Sequence, residues 1–242
     1  MAKIEKSPLL GRKIRRDDWS EIGKPTWTFL EEAIKAGKTK EALELLEYAL
    51  FEARTGHHVY VLFANLWNDY IGQKYGEDAI EGFWRALRAR PPEQLPTYYM
   101  PSHADKVVGN PKESVILDAE FQRCHFAGLS DLGEMQVTEE PDRYVVTVHC
   151  GTGGRARRSK LHTRTKKTHP WSWGKTGVPY YCCHCCLFWE IMPMQQRGVP
   201  LKVHENVDKP DEPCIHIYYK KPELIPEHYY TRVGMTKPKS FK

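Results

Sequence analysis

Four cysteines and a histidine occupy five consecutive positions, Cys182-Cys183-His184-Cys185-Cys186. Thiolate and imidazole are the donors that Zn²⁺ and similar ions prefer, usually four to an ion in a tetrahedron. Cys182, His184 and Cys185 lie close enough for two of them to chelate one ion across a turn. A single segment cannot easily fill all four corners. The distant donors available are Cys150, Glu205, Asp208 and Cys214. The spacing is not the paired C-x-x-C of a zinc ribbon, and small buried thiols are the plain alternative. Such density nevertheless favours a site, with Cys182, His184 and Cys185 as local metal ligands and the distant ones drawn from those four.

A second chemistry centres on Cys150. It stands at the end of a β-branched run and before Gly151-Thr152-Gly153-Gly154, whose backbone amides could form an anion-binding nest. A thiol beside such amides and several arginines has a lowered pKa, which suits a metal ligand or a nucleophile. His149 and His184 are the acid–base candidates, since imidazole titrates near neutrality. Arg155 and Arg157 open a basic stretch that runs to Lys167 and could hold an anionic substrate group, and Trp171 and Trp173 could line a pocket for a flat ligand. Asp118, Glu120, His125, Asp131 and Glu134 form a further polar group in which an acid, base or ligand could hide. Glu47, Glu52, His57, His58 and Asp69 lack the repeated Glu-x-x-His of di-iron bundles and read as solvated helix residues.

These residues need elements to position them. Residues 1–24 read as a polar surface arm. Helical spacing begins at Pro25-Thr26 and stops at Gly37. Thr39 caps a second helix that Gly56 breaks, and a third runs from His58 to Tyr75 with Val59, Leu62, Phe63, Leu66, Trp67 and Tyr70 facing inward. A fourth spans about Glu77 to Arg88, before Pro91-Pro92. Short turns between these helices imply an antiparallel helical layer. Residues 114–124 fit helix or strand. Glu134–Thr138 and Arg143–Cys150 form a β-hairpin, Cys185–Gln195 a short helix, and Val199–Glu205 and Cys214–Tyr219 two more strands. The expected fold is α+β. A helical N-terminal region over 1–92 and a linker over 93–113 lead into a C-terminal antiparallel sheet unit over 114–242 that carries the Cys/His cluster.

Composition narrows the function classes. The net charge is +5, with 40% hydrophobic and 28% charged residues, a globular balance that does not diagnose a nucleic-acid partner. No apolar run approaches the roughly 20 residues that cross a bilayer, and the N-terminus lacks a signal-peptide core. A cytoplasmic protein with reduced or metal-bound cysteines is the expectation.

The stretch from Tyr181 to Tyr219 resembles the 4-vinyl reductase domain family and the related L-2-amino-thiazoline-4-carboxylate hydrolase-like proteins. The shared features are Tyr181-Cys182 leading into a helix, the turn Gly198-Val199-Pro200, a strand ending in Glu205, and Asp211-Glu212-Pro213-Cys214 opening the last strand. The resemblance implies a small α/β unit for small hydrophobic or aromatic ligands, with zinc held at Cys182, Glu205 and Cys214. Asp208 stands where that family places a further cysteine. The leading expectation is thus a zinc- or thiolate-dependent enzyme, a hydrolase or lyase, acting on a small organic molecule that is aromatic or heterocyclic. The alternatives are a ligand-binding or sensory module pinned by structural zinc, and a nucleic-acid-associated protein using residues 155–167. Exposed aromatics would permit a homodimer.

Overall fold

The computed structural model describes residues 2–90, 107, 109–124, 135–149, 163–209 and 212–241. It divides into two compact units, Met1–Tyr60 and Val61–Lys242. Of the expected linker over 93–113, only residues 107 and 109–113 fall within the described residues.

In the first unit, strands β1 (Ile4–Lys6) and β2 (Lys13–Arg15) pair antiparallel, with Ile4 opposite Arg15. The expected surface arm is therefore an anchored hairpin. Its anchor is Arg15, which is buried. Its guanidinium donates to Asp17 Oδ2 at 2.7 Å and to Thr26 Oγ1 at 2.8 Å, and it lies 4.8 Å from the Phe29 ring. Helix α1 (Thr26–Lys35) ends before Gly37, whose φ of +69° is the left-handed turn that stops a helix. Phe29, Ala33 and Leu45 form the unit's core.

Helix α2 is one continuous element, Thr39–Tyr75, and the expected break at Gly56 does not occur. A lone glycine costs a helix only about 1 kcal/mol relative to alanine, too little to end one that is favoured on both sides. The expected inward face of its second half is also reversed. Leu62, Phe63, Leu66, Trp67 and Tyr70 are exposed, whereas Val61, Asn65, Asn68 and Asp69 are buried. Gly76, at φ +88°, then turns the chain into α3 (Asp78–Arg88).

The remainder of the second unit is built on a four-stranded antiparallel sheet. Its strands are β3 (Met135–Glu139), β4 (Arg143–Val148), β5 (Val203–Glu205) and β6 (Cys214–Tyr219), in the order β3-β4-β6-β5. The α+β expectation holds: helices come first, then an antiparallel sheet. The segment 114–124 resolves as helix within α4 (Pro111–Cys124). No helix among the described residues is long and apolar enough to cross a membrane.

Residues 180–197 wind as a helical run of changing pitch. Cys183–Cys186 is α-helical, Leu187–Ile191 is a wide π turn, and Met192–Arg197 is α-helical again. Pro193 explains part of this. It has no N–H to give the Trp189 carbonyl, which instead accepts Leu201 N at 2.8 Å. That bond ties the run to the chain entering β5 and places Lys202 against the core.

Candidate functional site

The register of β5 and β6 sets His204 directly opposite His216. Strand side chains alternate, so His204, His216 and Tyr218 share one face while Val203, Ile215 and Ile217 take the other. The Val203–Ile217 face joins the main core, with Trp171, Leu187 and Tyr230. The histidine face meets α4, whose Val115 packs with Val146, Val148 and Tyr218. Both faces are covered, and the polar side chains on the second are therefore buried.

Asp118 of α4 is fully buried there. Lys202 Nζ donates to Asp118 Oδ1 at 2.9 Å, and His216 Nδ1 lies 3.0 Å from Asp118 Oδ2, the geometry in which Nδ1–H donates to the carboxylate. Nζ is also 3.2 Å from His216 Nδ1. Burial alone would raise the Asp118 carboxyl. The charges of Lys202 and His216, with their hydrogen bonds, outweigh it and hold that carboxyl well below the ordinary carboxylate range. Lys202 also lies 5.1 Å from the Trp189 ring and 5.8 Å from the Tyr218 ring, contacts that favour a cation.

A second carboxylate–imidazole pair sits alongside. Glu190, in the π turn, accepts three bonds on Oε1: Trp173 Nε1 at 2.7 Å, His204 Nδ1 at 2.8 Å and His204 N at 3.0 Å. Arg232 donates to Glu190 Oε2 at 2.8 Å and to Glu205 Oε1 at 3.3 Å. Burial nevertheless leaves the Glu190 carboxyl raised. Burial, and then the cations around it, push His204 well below the ordinary imidazole value, so it is neutral, and its buried Nε2 has no hydrogen-bond partner among the described residues. The two imidazoles meet edge to face at 4.7 Å.

Lys202 and Tyr218 line a small cavity with Ser114, Leu117, Trp189 and Leu201. Its volume is about 10 Å³, close to what one water requires. A cleft of about 630 Å³ shares Ser114 and Leu201 with it and is walled by Tyr219, Phe241, Pro111 and Arg197. Burial, and then the Asp118 charge, hold the Tyr218 phenol well above its ordinary value, so it stays protonated. The Asp118 carboxylate also acts on it as a hydrogen-bond acceptor.

The residues expected from sequence fall elsewhere. Cys182, Cys183 and Cys186 are buried in the main core among Trp84, Leu187 and Phe188. Burial raises the thiols of Cys183 and Cys186 well above the ordinary cysteine value, the opposite of an activated thiolate. Cys185 and Cys214 are half-buried. His184 packs 4.9 Å from Trp84, with Nε2 3.5 Å from Cys185 Sγ. Glu205 is engaged by Arg232, and Asp208 by Lys175 at 2.7 Å. Among the described residues no three His, Cys, Asp or Glu side chains form a group that could hold a metal ion. Cys182, His184, Cys185, Glu205 and Cys214 are accordingly not assembled into one there.

Trp171 and Trp173 are core side chains rather than cleft walls, the first stacked on His169 at 4.6 Å and the second bonded to Glu190. His149 is half-buried just beyond β4. Cys150, Arg155 and Arg157 lie outside the described residues, as does most of the basic stretch. Its described end is tied down: the amides of Lys166 and Lys167 donate to the Glu77 carboxylate at 2.7 and 3.2 Å.

Asp118 was legible as a candidate. Lys202, His204, His216 and Glu190 were not. The available signal was the alternation Lys202-Val203-His204 and Cys214-Ile215-His216-Ile217-Tyr218. It reads as a solvated strand face unless a helix is known to cover it. Compared with known proteins, the chain matches no protein family, no curated protein and no solved structure.

Proposed function

We propose that this chain is an enzyme of hydrolase or lyase type that acts on a small organic molecule, aromatic or heterocyclic, and polarises a carbonyl or carboxylate oxygen of it with Lys202 and Tyr218. One observation carries the reading. A buried ammonium and a buried hydroxyl donor line the same cavity beside a cleft of small-molecule size. Two donors held in a dry site stabilise negative charge developing on an oxygen far better than water does. Asp118 and His216 are positioning residues: they keep the Lys202 ammonium aimed. His216, with Nδ1 committed to Asp118, has Nε2 as the nitrogen that can pass a proton. Tyr219, Phe241 and the prolines of the cleft suit an apolar body. The resemblance to domains for small aromatic ligands points to the same substrate class.

A second reading keeps zinc or a thiolate. The 3.5 Å approach of His184 Nε2 to Cys185 Sγ puts two soft donors on one turn. The remaining donors would have to include residues beyond those described, Cys150 first.

Hydrolysis of aryl esters of small aromatic acids separates the two. The Lys202–Tyr218 reading expects kcat/KM to fall roughly 100-fold in Lys202→Met and about 10-fold in the isosteric Tyr218→Phe, with Cys150→Ser and Cys185→Ser unaffected. Turnover that survives Tyr218→Phe unchanged but disappears in Cys150→Ser or Cys185→Ser, together with loss of bound zinc, would install the second reading in its place.

A further inference from the structure

The second half of α2 is an inside-out amphipathic helix. Polar side chains take the buried face because distant groups need them. Asn68 Oδ1 accepts Trp84 Nε1 at 2.9 Å, and Asp69 Oδ1 accepts Thr163 N at 3.0 Å. Asn65 and Asn68 also donate to the carbonyls one turn back, Val61 and Ala64, each at 2.7 Å. The apolar residues are thereby left outside. Leu62, Phe63, Leu66, Trp67 and Tyr70, at helical i, i+3 and i+4 spacing, are 45 to 59% exposed. Three of them form an edge-to-face ladder, Phe63 to Trp67 at 5.8 Å and Trp67 to Tyr70 at 6.4 Å. Between Arg54 and Lys74 the only acidic or basic side chain, histidines aside, is Asp69, and it is buried.

We propose that this face is a dimer interface, covered by the same face of a second copy about a two-fold axis. Area supports it. An aromatic side chain presents about 150–250 Å², so half-exposed ones offer about 100 Å² each. With the two leucines the face supplies on the order of 500 Å² per copy. A pair buries about 1,000 Å² from these five residues alone, the threshold for a specific interface, and flanking residues add to it. Charge supports it as well. A two-fold axis brings each residue near its own twin or a close neighbour, so a charged patch would repel itself. This patch carries none. It is rich in aromatics, as interface centres are, and the ladder already orders its rings, so docking them costs little side-chain entropy.

Sedimentation equilibrium of the full chain tests this. The wild type is expected at twice its 28.2 kDa. Leu66 lies at the middle of the face, so Leu66→Glu and Leu66→Lys should each weaken association by roughly 100-fold or more, with the circular dichroism of the wild type retained. Mixing the two variants should restore a dimer of one chain of each, because their new charges meet across the axis. A wild type that stays monomeric to about 100 µM overturns the proposal, as does a dimer of unchanged affinity in both variants. A monomer that instead cosediments with phosphatidylcholine vesicles also overturns it and assigns the face to a lipid surface.

Discussion

His216 of β6 and Asp118 of α4 are 98 residues apart in sequence and 3.0 Å apart in space, with the Lys202 ammonium on the carboxylate's other oxygen. This contact is where the sheet and the helix that covers it are joined by charge. All three groups are buried, so each depends on the others for solvation.

That dependence predicts a strongly non-additive mutant cycle. Asp118→Leu leaves the Lys202 ammonium buried without its partner, and Lys202→Met leaves the Asp118 carboxylate with only His216. Removing one member of a buried ion pair costs about 3–5 kcal/mol, while replacing both with apolar residues of similar size is often close to neutral. Urea unfolding should therefore show each single variant losing about that much and the double variant losing less than either. Additive losses would mean that the two groups are not energetically paired.

The buried imidazole of His204 makes stability depend on pH in a calculable direction. Its folded value is depressed well below 6.5. Below pH 6.5 the unfolded chain accepts a proton there that the folded chain refuses. Its contribution is thus complete above pH 6.5 and declines as pH falls beneath it, by up to about 1.4 kcal/mol per pH unit. Glu190 works the other way. Its folded value is raised, so the folded chain takes up that proton first, and the decline should flatten as pH falls further. His204→Asn retains a donor near Nδ1 and cannot titrate. Its unfolding free energy should be lower at pH 7.5 but flatter from pH 7 to 5.5. Equal slopes in the two proteins would remove His204 as the cause.

The parts of the fold that could be read in advance are those set by local chemistry. Gly37 ends α1 because only a left-handed residue fits there, and the β-branched centre of Tyr144–Val148 makes a strand in any context. The parts that could not are set by distant partners. Asn68 turns inward for the Trp84 indole, and Asp69 for the Thr163 amide, which reverses a helix whose apolar pattern alone favours the opposite face. Lys202, His204 and His216 are buried because α4 covers their strands, a fact that no pattern within β5 or β6 contains. The Cys182–Cys186 run shows the converse. Residue type suggested reactivity, but packing against Trp84, Leu187 and Phe188 makes three of the four thiols core material.

That packing yields a prediction of its own. Cysteine reacts as the thiolate, and burial both raises the thiols of Cys183 and Cys186 and excludes reagent. Native protein treated with iodoacetamide at pH 7.5 and mapped by peptide mass should be modified at Cys124, which is exposed, and at Cys185 and Cys214, which are half-buried. Cys182, Cys183 and Cys186 should remain unmodified, with rates at least ~100-fold below that of Cys124, until denaturant opens the core. If Cys183 or Cys186 labels as fast as Cys124 in the native protein, the helical run of residues 180–197 opens far more readily than its burial implies. The cavity beside Lys202, one wall of which is Trp189 from that run, would then be a transient feature rather than a standing one.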